Sequence, residues 1–388
     1  MRTEIIQIMA GAAVLSAVTY VPILAREGLG ADELYVTLIV AVYATASFLS
    51  SYIFGRAGDI YGRRIVLRLG ILLSTISFGL LVLSASLEWL FVIRILNGFC
   101  IGMYPGALVA YAYESEMKMG RFASFGALGW GMGTLVAGFA AGYGIHYAFL
   151  VSSLFFLLAF LSAFTLPKVQ VNSIKVPLFP IETLKRNYPV YLAVFVRHSS
   201  AFAVWTLWPL FLTDLGADIA FPFMGSTVFL DGLIVIGLVQ ATNSISQVIF
   251  MLGLTDRFQC NTLILVGLIS SAATFLWIAL ARTILEIFPT QVLLGFAWAC
   301  LYVGALKYVT ERNVERSTAS GLLQSTLSIS GVLGPIIAAI LFVIWASYIP
   351  IILFAALMSG VAFAVFLVSN RGIQCSPPSE EERPDSLE

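Results

Sequence analysis

The sequence predicts an all-α membrane protein: twelve transmembrane helices in two parallel six-helix bundles. Three observations carry this. Of 388 residues, 60% are hydrophobic and only 11% are charged, against about 25% charged in soluble domains, and mean hydropathy is +0.95. The apolar runs have the length of a helix crossing a hydrocarbon core and are too long for barrel strands. Basic residues gather in alternate loops, which gives the chain a sidedness.

The spans follow in order. Helix 1 reads from Ile5 to Leu24; it lacks a small-residue cleavage site and is taken as a span, not a removed leader. Helix 2 runs from Leu34 to Phe54, helix 3 from Ile65 to Ser84, helix 4 from Trp89 to Tyr111, helix 5 from Phe122 to Gly142 and helix 6 from Tyr147 to Leu166. Residues 167–187 form the longest polar interval between spans, with Lys168, Lys175, Lys185, Arg186 and three prolines. The chain therefore divides into an N-terminal bundle (1–166), a linker (167–187), a C-terminal bundle (188–369) and a tail (370–388). The tail is rich in Pro, Ser and Glu and is expected to be disordered. In the second bundle, helix 7 reads from Pro189 to Leu212, and a loop with Asp214 and Asp218 leads to helix 8, ending near Leu254. Helices 9 to 12 read as Thr262 to Leu280, Phe288 to Val309, Ala319 to Ile344 and Ser347 to Val368.

Arg63, Arg64, Arg68, Lys118, Arg121, the linker lysines, Arg257, Arg312, Arg316 and Arg371 fall on one side of this plan; only Arg26 and Arg282 fall on the other. Both termini and the linker are expected to be cytoplasmic, in a multi-pass protein of the cell membrane. A repeat supports the two halves. The shift that takes Asp59 to Asp256 also takes Gly70 to Gly267, Ser74 to Ser271, Phe78 to Phe275, Gly98 to Gly295, Phe99 to Phe296, Tyr111 to Tyr308 and Glu114 to Glu311.

Net charge is zero, which gives no reason to expect nucleic acid. Cys100, Cys260, Cys300 and Cys375 show no paired spacing, so neither a disulfide framework nor a thiolate metal site is expected. His146 and His198 cannot make a histidine cluster. No phosphate-binding Gly-x-x-x-x-Gly-Lys-Ser/Thr loop occurs, which argues against an ATP-driven pump. No reactive cluster sits near an interface, so catalytic residues, cofactors and metals are all expected to be absent.

Residues 55–64 read Gly-Arg-Ala-Gly-Asp-Ile-Tyr-Gly-Arg-Arg. They join two spans and concentrate charge around Asp59. One reading is a set of solvated basic residues that fixes orientation; the other is a charged latch holding one conformation of a moving protein. Gly55, Asp59, Gly62, Arg63 and Arg64 match the signature Gly-x-x-x-Asp-x-x-Gly-Arg-Lys/Arg, and here the chain resembles the major facilitator superfamily. A degenerate copy keeps Asp256 and Arg257 but has Gln259 and Cys260 where Gly and Arg would stand. Arg94-Ile95-Leu96-Asn97-Gly98 is similar to the family's Arg-x-x-Gln-Gly signature, with Asn for Gln. Gly129 and Gly133 match part of the antiporters' Gly-x-x-x-Gly-Pro signature in helix 5, and Thr134 stands in place of the proline. The resemblance implies the major facilitator fold and transport by alternating access. It also places Asp59 beside the start of helix 11, Ser317 to Gly321. Arg63 is a candidate partner for Glu114, and Asp256 and Arg257 complete the candidate latch.

Arg94 and Arg197 are ionisable groups inside spans, which are functional candidates because of their desolvation cost. Arg94, Asn97, Tyr104 and Tyr111 share a face of helix 4. Gln240, Asn243 and Gln247 share one in helix 8, and Gln324, Ser328 and Gly331 one in helix 11. These polar stripes either line a central cavity or hold helices together. Trp205, Trp208, Trp298 and Tyr302 could stack on a ring-bearing solute or serve as interface anchors. His198 adjoins Arg197 but points elsewhere on the helix, so it is read as facing a neighbouring helix. Glu4 and Asp231 sit near span ends, and no acid lies deep in helices 1, 2 or 5.

The leading expectation is a secondary transporter that exports lipophilic or drug-like compounds, with proton coupling as the family's common mode. An importer or facilitator of a small organic anion or sugar is the second reading, and a non-transporting membrane sensor the third. The expected partners are a small-molecule solute, protons and the lipid bilayer; a monomer is expected.

Overall fold

The computed structural model describes residues 2–18, 20–31, 33–141, 143–167, 177–216, 219–223, 226–230, 232–371 and Cys375. Twelve long helices form the body. The first six are α1 (Arg2–Val18), α2 (Glu33–Tyr61), α3 (Arg63–Gly79), α4 (Leu87–Glu114), α5 (Met119–Ala141) and α6 (Ile145–Phe164). The second six are α7 (Ile181–Asp214), α8 (Gly232–Gly253), α9 (Cys260–Leu280), α10 (Ile284–Glu311), α11 (Arg316–Trp345) and α12 (Ile349–Ser369). Among the described residues, nine helices are each long and apolar enough to cross a membrane; α1, α5 and α8 complete the twelve.

Polarity is inverted relative to a soluble bundle. Leu135, Leu280 and Val343 are exposed at 68%, 75% and 84%, while Asn97, Ser74, Ser271 and Thr274 are fully buried. Lipid accepts the apolar exterior, and helices keep their backbone polar groups paired where no water is available. Helix breaks occur where the sequence demands them. Gly62 takes φ +97° between α2 and α3, a conformation that disfavours any side chain. Pro105 has no N–H to continue the ladder, so α4 ends a first segment at Met103 and restarts with Tyr104 as its cap.

The two sets of six helices repeat one another's packing. In the first, α1 lies against α5 and α6, α2 against α4, and α3 against α4 and α6; in the second, α7 lies against α11 and α12, α8 against α10, and α9 against α10 and α12. Two equivalent crossings, α2 with α11 and α8 with α5, and a further contact of α4 with α11 join the halves. Glycines matched by the repeat permit matched close approaches. A Cβ at Gly98 would lie 2.9 Å from that of Ala46 in α2, and one at Gly295 would lie 2.7 Å from that of Ser246 in α8. Gly70 and Gly267 do the same for α3 on α4 and α9 on α10, where a Cβ would reach Tyr104 Cβ at 2.9 Å and Ala297 O at 2.8 Å. Small residues at such crossings let dispersion act over the full contact in a medium without a hydrophobic drive between helices.

Several features depart from the sequence reading, among them α2, read as ending at Phe54 but helical through Tyr61. Helix α7 begins at Ile181, inside the interval assigned to the linker, and Thr183 and Asn187 are already buried in its first turns. The segment after α7, read as a plain loop, carries an antiparallel hairpin of β1 (Ile219–Phe223) and β2 (Ser226–Leu230), with Ile219 opposite Leu230. Cys260 and Cys375, read as unpaired, form a disulfide with Cα atoms 6.2 Å apart; Cys375 thus lies against the first residue of α9, a contact that sequence spacing does not encode. Helix 4 is read from Trp89 to Tyr111, but α4 extends further at both ends. Lys168, Lys175, Asp218, Asp231 and the tail at 372–374 and 376–388 lie outside the described residues.

The glycine crossings predict a position-specific stability pattern. Gly267→Leu forces atoms against the α10 backbone and should destabilise by about 1–3 kcal/mol or more. Gly360→Leu, where nothing lies within 4 Å of a new Cβ, should leave stability unchanged. Melting of the detergent-solubilised protein checks both; equal melting temperatures for the two variants would contradict the packing described.

Candidate functional site

At the end of the bundle where residues 55–64 lie, the two halves are joined through a helix terminus. Helix α11 begins at Arg316, and its preceding residue, Glu315, provides no side-chain cap; that carboxylate instead accepts from Thr183 Oγ1 at 2.8 Å and from Arg186 at 3.1 Å. Asp59 of α2 supplies the cap. Its Oδ2 accepts from Thr318 N at 2.7 Å and Thr318 Oγ1 at 2.6 Å, and its Oδ1 accepts from Ser317 N at 3.2 Å. Free N–H groups and the helix dipole both favour a carboxylate there. Asp59 is 3% exposed, so these are charge-assisted bonds largely shielded from water, a stronger class than neutral ones.

The same carboxylate accepts from Arg63 Nη2 at 3.0 Å. Buried Arg63 also pairs with Glu114, at the end of α4, and Arg316 approaches that glutamate at 3.6 Å. The chain Thr318–Asp59–Arg63–Glu114–Arg316 thus leaves α11, passes through α2, α3 and α4, and returns to α11. Close backbone contact reinforces it: a Cβ at Gly55 would lie 2.9 Å from Gly321 Cα, and one at Gly106 would lie 2.8 Å from Ser317 O. Arg64 is half-buried outside this chain.

The repeat copies the cap. Asp256 Oδ1 accepts from Gly120 N at 3.1 Å, at the start of α5. Gly120 is the repeat counterpart of Ser317, so each half's aspartate addresses the equivalent helix of the other half. The copy is weaker. Asp256 is only half-buried, Arg257 is exposed, and no Thr318 equivalent adds a hydroxyl, since Arg121 occupies that position and pairs with Glu4 of α1 at 2.5 Å.

Above these caps lies a cavity of about 690 Å³, walled by both halves. Arg94, Tyr104, Arg197, Trp208, Gln240, Asn243, Trp298, Tyr302 and Gln324, all candidates from sequence, reach its wall. Asn97 does not; it is fully buried in α4, its amide atoms without hydrogen-bond partners among the described residues. Tyr111 is also off the wall, donating to Pro167 O at 3.0 Å. Gln247 donates to Asn243 Oδ1 at 2.5 Å, so this part of the polar stripe both lines the cavity and binds itself. His198, expected against a neighbouring helix, faces the cavity and stacks on Trp298 with ring centroids 5.0 Å apart; the wall is wide enough to take two successive residues of α7. Tyr43 belongs to no polar stripe in the sequence. It lies under Arg94, whose guanidinium carbon is 3.9 Å from the ring centroid.

Charge on the wall is one-sided. Among the described residues lining the cavity there is no Asp or Glu, whereas Arg94 and Arg197 are 1% and 2% exposed. A cation at membrane depth costs about 2.5–3.5 kcal/mol or more. The Tyr43 ring returns about 2 kcal/mol when desolvated, which leaves the Arg94 charge undercompensated. Glu311 lies with Cys260 and Cys375 in the one group of possible metal ligands among the described residues, and with the sulfurs joined it offers no thiolate.

The comparisons agree with this architecture. The Major Facilitator Superfamily model matches residues 5–310. The chain is 24% identical to the tetracycline resistance protein, class B, of Escherichia coli, over 89% of this chain and 88% of that protein. It is 27% identical to the multi-drug resistance efflux pump PmrA of Streptococcus pneumoniae, over 84% and 85%. Among solved structures, the human organic anion transporter MFSD10 superposes with a TM-score of 0.75 at 16% identity, covering 94% of this chain and 98% of that one. With two repeated six-helix bundles, the signature at residues 55–64 and a family model spanning most of its length, the chain belongs to the Major Facilitator Superfamily.

Proposed function

We propose that this protein is a secondary transporter of the cell membrane that exports lipophilic, drug-like compounds in exchange for protons. The observation that carries it is a largely apolar cavity, with Trp and Tyr rings on its wall, between two halves whose contact at one end depends on reciprocal helix caps. The multi-drug resistance efflux pump among the relatives supports the export direction, and proton coupling follows the common mode of the superfamily. The capped end faces the cytoplasm, because the basic loops gather there. The conformer is therefore closed on the cytoplasmic side. Rocking of the halves would pull α11 from Asp59 and α5 from Asp256 and open the cavity inward. The residues of the Asp59 chain act as a latch: they weight the closed state without touching the solute.

Asp59→Asn removes the charge that caps α11 and balances Arg63, while leaving the Arg63–Glu114 pair. Transport should fall at least about tenfold, the scale of one lost charge-assisted bond, with membrane insertion retained. Asp256→Asn should cost only about two- to threefold, because its carboxylate is half-buried and solvent screens it. Initial rates of dye export in proteoliposomes check this; wild-type rates in Asp59→Asn would remove the latch.

Coupling is read separately. Proteoliposomes holding a panel of lipophilic dyes should show flux that follows an imposed pH gradient and collapses with a protonophore. Flux indifferent to the gradient would leave a facilitator, and no flux for any dye would favour the sensor reading.

A further inference from the structure

We infer that the solute this cavity recognises is an aromatic organic anion: a flat ring system carrying a carboxylate or a similar single negative group. The inference rests on the proposal that the cavity is the solute site, and narrows it to a chemical class.

The geometry supplies both parts of such a ligand. His198, Trp298 and Tyr302 form a continuous stack along the wall, with centroids 5.0 and 5.2 Å apart and ring planes within 18° and 10° of parallel. A stack of that kind presents a flat apolar surface to a further ring. Arg197 stands at its edge, with its guanidinium carbon 5.3 Å from the Trp298 centroid and Nε donating to Ser271 Oγ at 3.1 Å. The serine fixes the orientation of the guanidinium but brings no charge. From the other half, Arg94 lies over Tyr43, and its Nε and Nη1 are buried without a hydrogen-bond partner among the described residues.

Buried donors of this kind are normally satisfied, and an orphaned one calls for a partner. A guanidinium donates and never accepts, so the partner must be an acceptor; its planar fork suits a carboxylate best. Arginines that pair with no acid among the described residues, on a wall where those residues bring no Asp or Glu, leave that place to the solute. A cationic solute would enter beside two buried positive charges and find no carboxylate, which disfavours it by direct repulsion. A neutral aromatic could use the ring stack but would leave the charges unbalanced. An anionic aromatic satisfies both.

The test is calorimetric titration of the full-length purified protein with three probes of one shape: 2-naphthoate, 2-naphthamide and 2-naphthylmethylammonium. The carboxylate should bind about tenfold tighter than the amide, the scale of a hydrogen bond to a charged group, and the ammonium weakest. Arg94→Gln and Arg197→Gln should each reduce the carboxylate's advantage over the amide, and Arg94→Lys should restore part of it. A melting temperature within a few degrees of the wild type shows that a variant is folded. Equal binding of carboxylate and amide by the wild type, or tighter binding of the ammonium, would overturn the inference, as would an undiminished preference in both Gln variants. Flux separates this from the export reading: preferential naphthoate binding with no transport of any probe would sink export and spare the anion site, whereas dye export with no charge preference in binding would do the reverse.

Discussion

The structure depends on a carboxylate capping a helix that belongs to the other half of the molecule. Helix α11 starts on Glu315, whose side chain is committed to Thr183 and Arg186. The N–H groups of Ser317 and Thr318, which have no intrahelical acceptor, must therefore be satisfied from outside, and Asp59 reaches them. A local cap would have made the start of α11 self-sufficient and its docking optional. A borrowed cap ties completion of the helix end to contact between the halves. Such a bond also suits a moving part: when it breaks, both the carboxylate and the N–H groups meet water, so parting costs far less than exposing a buried apolar face.

This contact is possible only because the backbones can approach. Gly55, Gly106 and Gly321 place α2, α4 and α11 within van der Waals distance of one another, and the Asp59 side chain is short enough to need that proximity. Glycine in the membrane thus does two jobs here. Inside each half, Gly70, Gly98, Gly267 and Gly295 fix permanent crossings; at the seam, Gly55 and Gly321 permit a crossing that the caps hold.

How much of this the sequence disclosed depends on the kind of signal. Apolar runs, charge asymmetry and the repeat made the fold legible, because each reflects a one-dimensional constraint of the bilayer. The placement of Asp59 beside Ser317 and Thr318 came from the family resemblance; residue spacing alone left orientation signal and latch undecided. The cavity was legible where polar residues recur along a helix face, as with Gln240 and Asn243. It was misjudged where only the partner helix decides: Asn97 fits the spacing of Arg94 yet points into the packing, and His198, assigned away from the cavity, stacks on Trp298. Tyr43 carried no signal, since an aromatic in an apolar helix reads as packing until an arginine is found above it. The Cys260–Cys375 disulfide and the early start of α7 were invisible for the same reason: both depend on where the chain returns in space.

The repeat divides its fidelity between movement and recognition. Scaffold positions are kept in kind: Asp59 and Asp256 cap matched helices, and the paired glycines make matched crossings. On the cavity wall the same register holds different chemistry. Arg94 corresponds to Gln291, Tyr43 to Gln240, Ile101 to Trp298 and Pro105 to Tyr302, and all of these line the cavity. A rocking motion between two equivalent bodies needs equivalent joints, so symmetry survives at the caps and crossings. A solute without two-fold symmetry needs unlike walls, so symmetry is lost where it would be bound. The arginine from α4 and the ring stack from α7 and α10 therefore face a shared space from opposite halves, and a ligand bridging them would be released from one as the halves move apart.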